Sequence, residues 1–261
     1  MLLGDIIAAI EACAPLYYQE EWDNSGLQVG KPDMNVDSAL LCVDVTEDIV
    51  DEAIRKDCHL IISHHPLMFN GVKHLCDSNS QERCLWKAVK HDMAIYSAHT
   101  SLDNWSQGVS HRMAQKLSLQ QTKVLSVLEK YPHEGSGMIG YLPQPLPVLQ
   151  LLEHIKRVFK APSLRYTDLL GNKPISKIAL CGGAGGFLLE EAIRQGAELF
   201  LSADFKYHDF FRAEKRIIIA DIGHYESEQY AKELLYEIIS KKIPTFAIHY
   251  AETDRTPVHY L

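Results

Sequence analysis

The sequence predicts an α/β protein made of two similar α/β/α halves that arose by internal duplication. Three observations carry that prediction. Short apolar runs alternate with segments whose apolar residues recur at helical spacing, the pattern of buried strands joined by amphipathic helices. The same order of elements occurs twice. Letters recur as well: Ala53-Ile54-Arg55 returns as Ala192-Ile193-Arg194, Cys42 as Cys181 and Ser63 as Ser202, each 139 residues later (192 − 53, 181 − 42, 202 − 63), the mark of a repeated unit.

Each element has a local reason. Residues 4–13 place apolar residues 6, 7 and 10 at helical spacing. Residues 21–30 are turn-rich and end in a short apolar segment. Residues 38–45 read as a strand, and 47–57 as a helix with Ile49, Val50, Ala53 and Ile54 on one face behind Thr46 as its cap. Leu60 to Pro66 is an apolar strand that Pro66 must end, because proline forces the preceding residue toward extended geometry and prevents a helix from following at once. A helix over 80–91, a strand over 93–98 and a helix over 106–117 complete the first half.

The second half predicts helices at 148–159, 187–195, 205–214 and 229–241, with strands at 176–181, 198–203 and 216–222. Sheets covered on both faces and largely parallel within each repeat follow. Strands 136–142 and 243–250 have no counterpart; they either extend the sheets or swap between halves, the C-terminal one then packing on the first half. The polar stretch 120–135, with Pro132 and Gly135, marks the boundary, giving domains 1–125 and 126–261.

Composition narrows the function classes. At 261 residues, 46% hydrophobic and 23% charged, the chain matches globular averages and gives no sign of disorder. A formal net charge of −8 argues against a broad nucleic-acid face. No apolar run approaches a membrane span and the first residues lack a basic leader, so a cytoplasmic location is the default expectation. Six cysteines without a C-x-x-C pair read as reduced, mostly buried thiols.

The histidines carry the chemistry. His64 and His65 end a buried strand; adjacent residues of a regular strand face opposite ways, so they can share a site only where the strand runs out. His99-x3-Asp103 and His224-x3-Glu228 follow the third strand of each half at an offset of 125 (224 − 99, 228 − 103). Alone, a His-x3-carboxylate reads as a surface histidine beside a helix cap, and Glu228 as an acid in a helix first turn. Paired at matched positions beyond strand ends, where α/β proteins place their sites, these residues read as metal ligands in a cleft between the halves. Four imidazoles and two carboxylates suit two ions better than one.

Other motifs read less sharply. Cys181 to Phe187 is a glycine-rich turn without the remaining letters of a dinucleotide or P-loop fingerprint. Asp204, Lys206, Tyr207 and His208 stand where His65-Pro66 stands in the first half, as candidate substrate contacts or as a cap and a solvated helix face. No nucleophile elbow is present.

At these residues the chain resembles the NIF-three-like dinuclear metal centre family, also called GTP cyclohydrolase I type two homologues. Ile62-Ser63-His64-His65-Pro66, Ala98 to Asn104, Ser202 to His208, Asp221 to Glu228 and the upstream Trp22 to Gly30 carry the resemblance, which covers nearly the whole chain. It implies a toroidal homohexamer whose subunits hold two divalent metals, with His64, His65, His99, Asp103, His224 and Glu228 as ligands. Some relatives carry an inserted central domain, for which residues 120–175 leave no room.

The expectation is a hydrolase that uses two divalent ions (Zn, Fe, Mn or Co) on a nucleotide or other phosphate-containing small molecule. A water shared by the ions would be the nucleophile, with Asp103 and Glu228 as candidate bridges and no catalytic side chain assigned. The alternative is a hexameric metal-binding scaffold or regulatory protein without catalysis. The cyclohydrolase label comes with the resemblance; no residue pattern shows a guanine site.

Overall fold

The computed structural model describes residues 1–261. In chain order the elements are α1 (Leu3–Glu11), β1 (Gly26–Val29), β2 (Ser38–Cys42), α2 (Glu47–Arg55), β3 (Leu60–Ser63), α3 (Ser80–Lys90), β4 (Ala94–Ser97), α4 (Thr100–Asp103), α5 (Val109–Lys116), β5 (Gln120–Leu128) and β6 (Tyr131–Leu146). There follow α6 (Val148–Val158), β7 (Arg165–Tyr166), β8 (Ile175–Leu180), α7 (Leu189–Arg194), β9 (Leu199–Ser202), β10 (Ile218–Asp221), α8 (His224–Glu228), α9 (Ala231–Lys242) and β11 (Ala247–Tyr250). No helix is long and apolar enough to cross a membrane. The chain forms two compact units, one of Met1–Leu102 with Ala231–Arg255, the other of Asp103–Tyr230 with Thr256–Leu261.

The first unit is built on a five-stranded sheet in the order β1-β4-β3-β2-β11. Strands β11, β2, β3 and β4 are parallel, and β1 closes the edge antiparallel to β4. The C-terminal strand therefore joins this sheet, Ala247 to Tyr250 pairing with Ser38 to Leu41. Alternate residues point to opposite faces. Leu40, Cys42, Ile61 and Ile95 pack with Ile49, Val50 and Ala53 of α2 and Cys84 and Ala88 of α3. On α2, Thr46 caps the helix as expected, its hydroxyl accepting from the Ile49 N–H at 3.4 Å. α9 lies against β2 and against α1.

Glu52 of α2 ties the segment after β11 to this unit. It is 2% exposed and accepts from the N–H groups of Glu252 and Thr253 at 2.9 Å and from the Thr253 hydroxyl at 2.7 Å, with the Lys56 ammonium 2.9 Å away. Burial alone would raise its carboxyl; these hydrogen bonds outweigh it and lower the pKa to about 2. The folded value lies below the unfolded one. The contribution is therefore complete above about pH 4.5 and lost as pH falls toward about 2. Glu52→Gln is expected to cost about 3 kcal/mol at neutral pH. Denaturant melts of the two proteins should differ fully at pH 7 and converge only as pH approaches about 2.

The second unit carries a six-stranded sheet in the order β5-β6-β8-β9-β10-β7. Its centre, β8-β9-β10, is parallel, and β5, β6 and β7 are added antiparallel. Both faces are buried, as the continuous apolar runs predict. Ile178, Leu180, Leu199, Leu201, Ile218 and Ala220 meet α5 and α6, while Ala179, Phe200 and Ile219 meet Leu189 and Ala192 of α7.

Three local expectations differ from what forms. Residues 120–135, expected as a polar connection, pair as β5 and the start of β6, with irregularities near Gln120/Lys123 and Val127/Leu128 that break the alternation a sequence pattern needs. Residues 205–214 form a 3-10 helix over Tyr207–Ala213, not an α-helix, and it ends in the left-handed residues Glu214 and Lys215. The helix expected at 229–241 is α9 preceded by the single turn of α8.

Candidate metal centre

In the first unit, β3 and β4 end side by side, with Ser63 opposite Ser97. Their hydroxyls lie 2.8 Å apart and both donate to the His65 carbonyl, at 2.7 and 3.2 Å. The backbone beyond β3 still pairs with the β2 side, His64 N–H donating to Cys42 O and His65 N–H to Val43 O. That clamp turns consecutive residues to a common side after the strand has stopped. The rings of His64, His65 and His99 form a triangle with centroid separations of 5.0, 5.4 and 5.3 Å.

Each ring is held through Nδ1. His64 Nδ1 meets the Ala98 carbonyl at 2.9 Å, His65 Nδ1 meets Asp44 Oδ1 at 2.8 Å and His99 Nδ1 meets Asp23 Oδ1 at 2.7 Å. An oxygen acceptor at Nδ1 puts the proton there and turns the Nε2 lone pair outward, the arrangement of ligating histidines and their supporting shell. Asp23 is the most heavily engaged of these acceptors: its other oxygen takes the Ser25 hydroxyl, the Thr100 N–H and the Thr100 hydroxyl. Burial would raise its carboxyl, but His99 and the two hydroxyls hold it well below the usual carboxylate range. Trp22 and Phe69, both exposed, stand edge-on to His99 at 5.8 and 5.3 Å.

The second unit holds the other donors. After β10, Gly223 (φ 94°) turns the chain into α8, whose one turn places His224 and Glu228 on the same side. His224 Nε2 lies 2.8 Å from Glu228 Oε2, and its Nδ1 lies 2.7 Å from Asp204 Oδ2. Burial alone would lower His224, but the hydrogen bonds and charges of Asp204 and Glu228 raise it to about 11. Burial first, then the charges of Asp103 and Glu228, push the Cys181 thiol far up, which keeps it out of the thiolate form a metal needs.

The glycine-rich turn after β8 finds its role here. Gly183 has φ +58°, and a Cβ at that position would sit 2.2 Å from Glu228 Oε1. Its N–H donates to Ser227 Oγ at 2.9 Å, and its carbonyl accepts from Ser202 Oγ at 2.8 Å. The turn is thus the seat of Glu228. Gly183→Ala is expected to displace that carboxylate and strain the turn, lowering metal affinity by roughly 10- to 100-fold. Metal titration of the folded variant checks the effect, beside Gly186→Ala, whose added Cβ meets nothing nearer than Phe205 at 3.5 Å.

The structure brings His64, His65 and His99 together in one unit and places Asp103, His224 and Glu228 in the other. Asp204, a candidate substrate contact in the sequence, holds His224 in a left-handed backbone conformation (φ 60°). Lys206, Tyr207 and His208 lie exposed at the start of the 3-10 helix. Asp23 and Asp44 are the residues that sequence reasoning missed. Asp44 follows the end of β2, so an acid beyond a strand end was the available signal for it; Asp23 offered only its place in the Trp22 to Gly30 motif.

The donor set passes the chemical test for divalent ions. Three imidazoles oriented by an oxygen at Nδ1 in the first unit, and in the second one such imidazole with two carboxylates, are each donor types suited to Zn, Fe, Mn or Co. Comparison with known proteins agrees in fold and family. Residues 1–257 match the family model described as Duf34/NIF3 (NGG1p interacting factor 3). A Streptococcus pneumoniae protein named GTP cyclohydrolase 1 type 2 homolog is 34% identical over 229 residues, covering 86% of this chain and 85% of its own. A Campylobacter jejuni protein of the same name is 31% identical over 261 residues and covers both chains fully. Among solved structures, the Bacillus cereus protein related to NIF3 superposes with a TM-score of 0.91 at 23% identity, covering 100% of this chain and 99% of its own. Staphylococcus aureus protein SA1388 does so with the same score and coverage at 25% identity.

Proposed function

The chain belongs to the Duf34/NIF3 family, and from that premise we propose that it binds two divalent metal ions and acts as a hydrolase on a nucleotide or other phosphate-containing small molecule. The observation that carries this reading is the anchoring of four histidines through Nδ1, to Ala98 O, Asp44, Asp23 and Asp204. Chance histidines satisfy either nitrogen; four held the same way point to a common use of Nε2.

The proposed ligands are His64, His65, His99, Asp103, His224 and Glu228. Bound ions would supply Lewis acidity toward a phosphoryl or carbonyl oxygen and toward water. The chain's own residues prepare for that. Asp23 and Asp44 hold the His99 and His65 rings in the ligating tautomer, Asp204 orients His224 through Nδ1, Gly183 leaves room for Glu228, and Asp103 and Glu228 each offer two oxygens. The name shared by the relatives supports a nucleotide among the candidate substrates. A cytoplasmic homohexamer completes the proposal.

The test is purified protein reloaded with Zn, Mn, Fe or Co and assayed against nucleotides and phosphoesters. Turnover that Asp103→Ala and Glu228→Ala abolish while the assembly stays intact supports the hydrolase. No turnover, with an assembly that falls apart when metal is removed, would overturn it in favour of a metal-dependent scaffold.

A further inference from the structure

The second unit carries a concave surface that the metal chemistry leaves unused. A cavity of about 570 Å³ is lined by β7, the 3-10 helix after β9 and the turn that follows, within the range of roughly 300 to 1,000 Å³ typical of small-ligand sites. Its walls are aromatic. Tyr207 and Phe211 are 72% and 64% exposed, with ring centroids 5.4 Å apart at 68°. The Arg165 guanidinium lies 5.4 Å from the Phe210 ring. Arg165 is fixed there, because it also donates to the buried Asp221 and, at 3.0 Å, to the Phe205 carbonyl.

The backbone at the same cavity is strained. Glu214 and Lys215 are consecutive non-glycine residues in the left-handed region, with φ of 46° and 58°, and both line the space. Such conformations persist where the surrounding fold imposes them and concentrate at ligand sites. Here they set Glu214, paired with Arg216 at 3.2 Å, and Lys215 on the wall of the cavity.

We propose that this cavity binds a nucleotide, its planar base stacked on the more exposed Tyr207 ring and met by the Phe211 ring at its edge. Glu214 is the acceptor for base N–H groups, and Lys215 and Arg165 face the phosphate. Arg216 holds the Glu214 carboxylate at 3.2 Å and Asp221 holds the Arg165 guanidinium at the wall, so an apolar occupant would gain only from the rings, whereas a base with its phosphate meets the rings and the Lys215 and Arg165 cations together. The inference deepens the functional reading by naming the element that recognises the substrate, and it rests on that reading only in calling the nucleotide a substrate.

The test reads binding without catalysis. AMP, GMP, CMP and UMP are titrated calorimetrically into the full chain stripped of metal, and into the double variant Tyr207→Ala/Phe211→Ala. Both side chains are exposed, so the variant should melt with the parent and reload with the same metal content. At least one nucleotide is expected to bind the parent, and the variant to bind it about tenfold or more weakly. Absence of binding to the parent, or equal binding to both proteins, would overturn the proposal. So would a variant that changes the assembly's mass and leaves nucleotide affinity alone, since the rings would then be a contact between copies of the chain. A protein that binds nucleotide and never hydrolyses it contradicts the hydrolase reading and leaves this one standing.

Discussion

Glu228→Ala is expected to empty the proposed centre. Glu228 is 3% exposed, is seated on the Gly183 turn and touches His224 at 2.8 Å, so its loss removes a ligand and deprives His224 of one of the two carboxylates that orient it. Removing a supporting partner alone typically costs 10- to 100-fold in metal affinity, and a ligand costs more. Metal content after dialysis should fall by at least about a hundredfold in relative affinity, with the fold retained by circular dichroism because the shortened side chain leaves the apolar clusters untouched. Glu228→Gln separates charge from shape: it keeps the volume, and it should also lose metal. A Glu228→Ala protein with full metal content would remove this residue from the ligand set.

Asp23→Asn is the second large effect. The substitution keeps the size of a side chain that serves His99, Ser25 and Thr100 at once. It exchanges one acceptor oxygen for an N–H donor. If the amide faces His99, Nδ1 becomes the acceptor and the ring proton moves to Nε2, where it blocks ligation; if it faces Thr100 and Ser25, their donors lose their acceptor inside the protein. The first outcome costs metal affinity by roughly 10- to 100-fold, the second about 1 to 3 kcal/mol of stability. Metal titration and a denaturant melt on the same preparation distinguish them. Asp23→Asn with parental affinity and parental stability would show that the His99 contact does not matter.

The site was legible in the sequence to the extent that its residues sit at strand ends and helix starts. His64 and His65 precede Pro66, and His224 and Glu228 are four apart on one turn; local spacing announces both. Asp23 lies 76 residues from the ring it holds and Asp44 lies 21 from its own, and no periodicity links such pairs because the sheet, not the helix pitch, brings them together. Asp204 stood out in the sequence as a candidate substrate contact, and only the fold shows that it faces His224. The strands were readable where both faces are buried, as at Leu60 to Ser63 and Leu199 to Ser202. β5 and the first part of β6 were not, because their exposed, irregular pairing carries the letters of a loop. The 3-10 helix over Tyr207–Ala213 escaped for a similar reason: its aromatic residues mimic helical periodicity while the turn at Glu214 and Lys215 ends it early.

The proposed dinuclear centre stands on four histidines anchored through Nδ1. Elemental analysis of protein purified without chelator tests it most directly, paired with the double variant His64→Ala/His65→Ala. About two divalent ions per chain are expected for the parent and a clear loss for the variant, with its fold intact. Fewer than about one ion per chain in the parent, or undiminished metal in the variant, would contradict it.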